Sequence, residues 1–264
     1  MKRLKIWSIM GLAVIMMLLV ASCGGDSDDN DKGSSNGGAV KYNRIAKIVT
    51  EEGSSIYEAT YSYDSQNRVV KIVTIENSNS PSETVRTYQY GETLIIAKAE
   101  VDGKWSNGES YSRSETHTYT VVDGLIVKDK ETKSGGSRNT TYTYDSNGYM
   151  ETISEEGSEG ATKMLVWNNG NLTHIDIDAL NYTVRTYVYS STPWLNELGF
   201  YLIPNTDGCL GGLGYYGRMP KMLPSKIDDE SILYTVVGGL VTKVVTTFTE
   251  KGKTQTSVSN ITWE

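Results

Sequence analysis

The sequence predicts an all-β chain. It reads as a long antiparallel meander of about 14–16 strands in a strongly curved or nearly closed barrel-like sheet. A loop and short-helix insertion interrupts it. Three observations carry this: a degenerate Tyr-x-Tyr repeat along the chain, tight-turn dipeptides inside the repeats, and 18 Tyr against 2 Phe in 264 residues. A half-buried ring with a hydroxyl at the water's edge suits a sheet surface. No segment of ten or more residues shows a 3.6-residue period outside the N-terminal run, with a possible exception at 193–200. Charge narrows the function: 25 Lys and Arg against 32 Asp and Glu give a net charge of −7. That argues against nucleic acid, which needs clustered basic residues. Two His and two Cys support neither a His-rich metal centre nor a disulfide framework.

Residues 1–22 read as a secretory signal. Lys2, Arg3 and Lys5 precede the apolar run Ile6–Leu19. A membrane-spanning helix needs about 20 residues, more than this run supplies. Val20-Ala21-Ser22-Cys23 resembles a bacterial lipobox. The resemblance implies cleavage before Cys23, lipid on that residue, and hence membrane association, since two or more acyl chains anchor stably. Residues 23–40 continue as a lipidated, acidic, flexible tether, GGDSDDNDKGSSNGGAV after the cysteine. This cluster resembles the acidic surface-export signal of Bacteroidales-type lipoproteins. It implies an outer-membrane lipoprotein facing the cell exterior, with the periplasmic face as the alternative. Cys209 is then the only unmodified cysteine and reads as a small buried hydrophobe.

Residues 41–264 form one domain of repeats. Tyr61-Ser-Tyr63-Asp64 and Tyr142-Thr-Tyr144-Asp145 each precede a turn and an apolar stretch ending in Ile72 or Ile153. Taking the last aromatic of each copy, the anchors fall at 63, 90, 119, 144, 167, 189, 234 and 263. Each step is a hairpin, and the long step from 189 to 234 contains the insertion. Tyr57, Ala59, Tyr61 and Tyr63 share one strand face, and Glu58, Thr60 and Ser62 the other. Asn147-Gly148, Asp123-Gly124 and Asn169-Gly170 supply the positive φ of tight hairpin turns. Thr116, Thr118 and Thr120 alternate with Glu115 and His117, so neither face of that strand offers the apolar band of a membrane barrel.

The repeat resembles the tyrosine-aspartate repeats of Rhs and teneurin-type shells. Over residues 42–264 the arrangement is more specifically similar to an uncharacterised family of Bacteroidales-type lipoproteins with a porin-like β fold. Residues 200–227 look like that family's most recognisable stretch. The resemblance implies a fold and an address, but no activity.

The insertion, 190–227, holds four of the five prolines, with one helical turn or two expected at 193–198. It is too apolar for a solvated loop and reads as a plug on the concave side, or as the wall of a binding site at one rim. Gly212-Leu-Gly214-Tyr-Tyr-Gly217 matches G-x-G-x-x-G, but no βαβ unit surrounds it, so the glycines read as turn formers. No hydrolase or metalloprotease signature is present, so the chain reads as non-enzymatic and without a cofactor. It is read as a monomeric binding module for glycan or an envelope protein. Trp105, Trp194, Tyr215 and Tyr216 are the candidate platforms, because sugar faces stack on aromatic rings. The alternatives are a structural or assembly protein of the envelope, and a hydrolase whose site is too dispersed to see.

Overall fold

The structure, a computed structural model, describes residues 44–156, 162–177, 182–193, 203, 206–250 and 252–264. The signal segment, Cys23, the tether, Trp194 and most of the helix expected at 193–198 lie outside the described residues. Sixteen strands follow one another. They are β1 (Ile45–Glu52), β2 (Ser55–Tyr63), β3 (Val69–Asn77), β4 (Ser82–Tyr90), β5 (Leu94–Lys104), β6 (Ser110–Val122), β7 (Leu125–Lys133) and β8 (Gly136–Tyr144). The second half has β9 (Met150–Glu155), β10 (Thr162–Asn168), β11 (Asn171–Ile177), β12 (Tyr182–Pro193), β13 (Met222–Ile227), β14 (Glu230–Val237), β15 (Leu240–Glu250) and β16 (Lys253–Trp263). Each pairs antiparallel with its sequence neighbours, and β16 pairs with β1 through Ile48 opposite Ile261. The all-β patterning and strand number pointed to a strongly curved or nearly closed sheet, and the pairing of β16 with β1 makes it a closed barrel.

Period-2 alternation sets the faces. On β2, Ala59 and Tyr61 are buried while Thr60 and Ser62 are exposed; on β8, Thr140 and Tyr142 are buried while Thr141 and Thr143 are exposed. Outward positions carry ion pairs such as Lys47–Glu58 and Lys98–Glu100.

The Tyr-x-Tyr repeat has a mechanical role. The first residue of each copy (Tyr61, Tyr88, Tyr119, Tyr142, Leu165, Tyr187, Ile232, Ile261) is buried in the core. The aromatic two residues later reaches across the hairpin and donates to a main-chain carbonyl at or near the start of the preceding strand. Tyr63 bonds Ile45 O at 2.9 Å, Tyr90 bonds Val69 O at 2.8 Å and Tyr144 bonds Ile126 O at 2.6 Å. Trp167 bonds Met150 O, Tyr189 bonds Leu172 O, Tyr234 bonds Pro224 O and Trp263 bonds Val241 O. Burial holds the phenols of Tyr63, Tyr90 and Tyr144 above their usual pKa, so they stay protonated donors. The anchor placed at Tyr119 is out of phase. Its equivalent is Val121, whose side chain cannot donate; the Val121 N–H bonds Thr93 O, one rung beyond the β5–β6 pairing. Tyr144→Phe is expected to cost about 1 kcal/mol, measured by urea denaturation, because the Ile126 carbonyl loses one partner.

The aspartates of the repeat cap the turns. Asp64 Oδ1 accepts from the main-chain N–H of Gln66 and Arg68, and Asp145 Oδ1 from those of Asn147 and Tyr149. The next turn position needs a left-handed residue, filled by Asn67 (φ 59°) or Gly148 (φ 81°).

Both chain ends of the barrel meet at this turn end: Arg44 and Glu264 exchange two main-chain hydrogen bonds. The interior is apolar there, around Ile45, Val69, Ile95, Ile126, Met150, Leu172 and Val241. Toward the opposite end it becomes polar, with buried Thr50, Arg86, Asp129, Glu131, Thr140, Ser257 and Ser259.

Candidate functional site

The connection between β12 and β13 enters the barrel at the turn end. It is shorter than the sequence suggested, because β12 runs on to Pro193 and β13 already begins at Met222. Its only described helix, α1 (Gly208–Gly212), lies later than the turn expected at 193–198. Ile203, Cys209, Leu210 and Tyr216 are buried in one cluster with the inward strand residues. The connection is stitched to the wall by main-chain bonds: Ile126 N–H to Tyr215 O, Arg218 N–H to Gly148 O, and Lys221 N–H to Gly170 O. Gly217 (φ 78°) takes part in this close approach, since a Cβ there would fall on the Gly148 carbonyl oxygen. The plug reading is thus the one the packing bears out. Burial pushes the Cys209 thiol well above its usual pKa, with Asp207 adding to the effect, so it is an inert packing group.

Asp207 fixes the plug's polar side. Its carboxylate accepts from Cys209 and Leu210 N–H as the cap of α1, from Tyr88 OH at 3.1 Å, and pairs with Arg86 at 3.3 Å. Beyond it the lumen holds a charged network. Arg86 also meets Glu115, His117 Nδ1 lies 2.8 Å from Asp129, and Glu131 pairs with Lys133 and Arg138. Arg138 and Lys163 both meet Glu155. Burial alone would lower the His117 pKa, but the Asp129 carboxylate outweighs it and holds the imidazole above its usual range. Burial opposes ionisation of Glu131, and Lys133 and Arg138 overcome that too. A polar cavity of about 160 Å³ lies among Arg86, His117, Asp129, Arg138, Thr140 and Asp207.

A second, larger concavity opens at the far end, between the β3–β4 and β5–β6 hairpins. It measures about 660 Å³, and its walls include Ile75, Glu76, Glu83, Asp102 and Tyr111. The Tyr111 ring closes over the β5 backbone: a Cβ on Gly103 would sit 2.6 Å from it, so any larger residue there would push the ring aside. Trp105 packs on Tyr111 with ring centroids 4.5 Å apart and remains 55% exposed. The β5–β6 turn holds it through Trp105 N–H to Glu109 O and Gly108 N–H to Trp105 O.

These positions sort the four sequence candidates. Trp105 is exposed beside a groove. Tyr216 is only 1% exposed, edge-on to Tyr142 at 5.3 Å, and so is core and not a ligand platform. Tyr215 is half-buried, stacked on Tyr90 at 6.3 Å and tied to β7 through its carbonyl. The plug's apolar side chains turn inward because the barrel interior is the nearest place to hide them from water. Trp194 lies outside the described residues, and Trp105 and Tyr216 sit at opposite parts of the barrel. Sequence reasoning missed Tyr111, and it missed the lumenal network. The alternation Glu115-x-His117 facing Asp129-x-Glu131 across an Asp-Gly turn was the available signal for the latter.

A family model described as a domain of unknown function (DUF4595) with porin-like fold matches residues 61–264. Among solved structures, a porin-like protein from Bacteroides uniformis ATCC 8492 is similar at 19% identity and a TM-score of 0.59. The match covers 83% of this chain and 96% of that one. At that identity the likeness speaks to fold alone. No curated protein matches the chain.

Proposed function

The chain belongs to the DUF4595 family of porin-like domains of unknown function, and from that premise we propose a surface-displayed outer-membrane lipoprotein that binds glycan without catalysis. The observation that carries the reading is the groove at the barrel end remote from the start of β1 and the end of β16. Arg44 and Glu264 sit at the turn end, while Trp105 and Tyr111 sit at the other. A lipid anchor on Cys23 would join the barrel through Arg44, at the end away from the groove. An exposed indole stacked on a second ring, with Glu76 in the same cross-strand row as Tyr111, is chemistry suited to a sugar: ring faces take the apolar face, and a carboxylate accepts from hydroxyls. The plug supports a binding module over a conduit. A 16-stranded barrel is wide enough for an aqueous channel, and here the connection's own side chains occupy the interior.

A thermal-shift screen of the purified chain against host and plant oligosaccharides tests this. Binding at a hundredfold excess over Kd stabilises by about 2.7 kcal/mol, which raises the midpoint of a domain this size by several degrees. The expected result is a shift with one sugar class that disappears in Trp105→Ala and Tyr111→Ala. A flat response across the panel, or a shift untouched by both variants, overturns the glycan reading.

An envelope-assembly role is the second reading, and one feature favours it. Leu233 is 69% exposed and faces Val245 across the strand pair, with Val258 next in the row. An apolar row of this kind on an outer face marks a contact surface.

A further inference from the structure

We propose that Glu115, His117 and Glu131 bind a divalent transition-metal ion, zinc by preference, on the inner face of β6 and β7. The strand register makes the site. His117 lies directly opposite Glu131, and Glu115 is two residues before His117 on the same inward face. One donor atom from each of the three lies within 4.8 Å of the other two. Metal–nitrogen and metal–oxygen bonds of about 2.0–2.2 Å place donors roughly 3.3–3.6 Å apart, so closure needs side-chain movement of about 1 Å. An imidazole with two carboxylates is a donor set suited to zinc, iron(II) or manganese, and zinc stands highest of these in intrinsic affinity.

A second feature sets this apart from a chance cluster of acids. His117 Nδ1 is held at 2.8 Å and 3.1 Å by the two oxygens of Asp129. A carboxylate on one imidazole nitrogen fixes the ring, keeps the proton there and leaves the other nitrogen's lone pair for a metal. That carboxylate–histidine pairing is the usual support behind a metal-binding histidine. His117 also borders the polar cavity of about 160 Å³, room for the water ligands that three protein donors leave to be filled. Glu131 is paired with Lys133 and Arg138. Arg138 also holds Glu155 at 3.0 Å, so it keeps a carboxylate partner when Glu131 turns to the metal. Glu115 is about one-third exposed and gives the ion a way in.

The test titrates the chelator-stripped full chain with zinc by calorimetry and with cobalt(II) by visible absorption. Wild type is expected to bind one equivalent, and cobalt to show the d–d bands of a nitrogen- and oxygen-ligated ion. His117→Ala should abolish binding. Glu115→Gln and Glu131→Gln should each weaken it tenfold or more, and Asp129→Asn should weaken it by about 10–100-fold. His174→Ala removes the other histidine, which pairs with Asp176 on β11, and should leave binding unchanged. Glu115→Gln keeps the test sound if His117→Ala fails to fold, because Glu115 is the most solvent-accessible of the three. Absence of binding by wild type, or binding retained in both Glu115→Gln and His117→Ala, overturns the site.

Discussion

Asp207→Ala is expected to destabilise the barrel by about 3–5 kcal/mol, the cost of removing one partner from a buried ion pair. The Asp207 side chain is 3% exposed and its partner Arg86 is 11% exposed. Truncation takes the Asp207 carboxylate away from a largely buried guanidinium, whose contact with Glu115 is longer, at 3.5 Å. It also strips the cap from α1, whose five residues are too few to hold a helix without tertiary support, and removes a carboxylate acceptor of the Tyr88 hydroxyl. Urea denaturation followed by tyrosine and tryptophan fluorescence measures the loss. Asp207→Asn should recover part of it, because the amide oxygen can still accept the Cys209 and Leu210 N–H groups. The double variant Arg86→Met, Asp207→Ala should recover more, since both charges are then gone. If the double variant is as unstable as Asp207→Ala, the cap dominates and the ion pair contributes little.

How much of this was legible in the sequence follows from the range over which each signal acts. Hairpins are local. Tyr61 to Asp64 and Tyr142 to Asp145 display alternation and turn chemistry within a dozen residues, so strand number and an all-β class could be read directly. Closure is not local: β16 meets β1 through Ile48 and Ile261, some two hundred residues apart. The repeat phase slipped at Tyr119, because aromaticity was the visible marker and the conserved physical act is a hydrogen bond to a carbonyl. In that copy the position belongs to Val121, whose side chain has no donor. The site was less legible still. Trp105 and Tyr216 are equally aromatic on paper. What separates them is that one sits on a hairpin tip and the other on a segment folded back into the lumen, and burial of that segment depends on every strand around it. The network of Glu115, His117, Asp129 and Glu131 was hidden for a different reason: its four members are ordinary charged residues until the register of β6 on β7 puts them together.

Tyr216→Ala supplies the sharpest test of the plug. The side chain is among the largest that are fully buried, it packs edge-on to Tyr142, and its hydroxyl accepts the Asp207 N–H at 3.3 Å. Removing a buried aromatic ring costs about 3–5 kcal/mol through lost burial and the cavity left behind, and for a domain of this size that lowers the midpoint by on the order of ten degrees. Tyr216→Phe keeps the ring and loses the hydroxyl's hydrogen bonds with the Asp207 N–H and the Tyr142 side chain, so about 1–3 kcal/mol is expected. A residue acting as a ligand platform would show the reverse pattern: near-neutral stability in both variants and loss of sugar binding in Tyr216→Ala. The damage should also be directional. Tyr215 O accepts from Ile126 N–H and Arg218 N–H donates to Gly148 O, so amide exchange at Ile126 and Arg218 should accelerate in Tyr216→Ala. The amides of β15 and β16 pair with each other and with β1 and β14, remote from these stitches, and should stay protected. Equal acceleration in both regions would mean that plug and barrel unfold as one unit, and that the plug is a structural keystone of the closed sheet, not a filling laid into it.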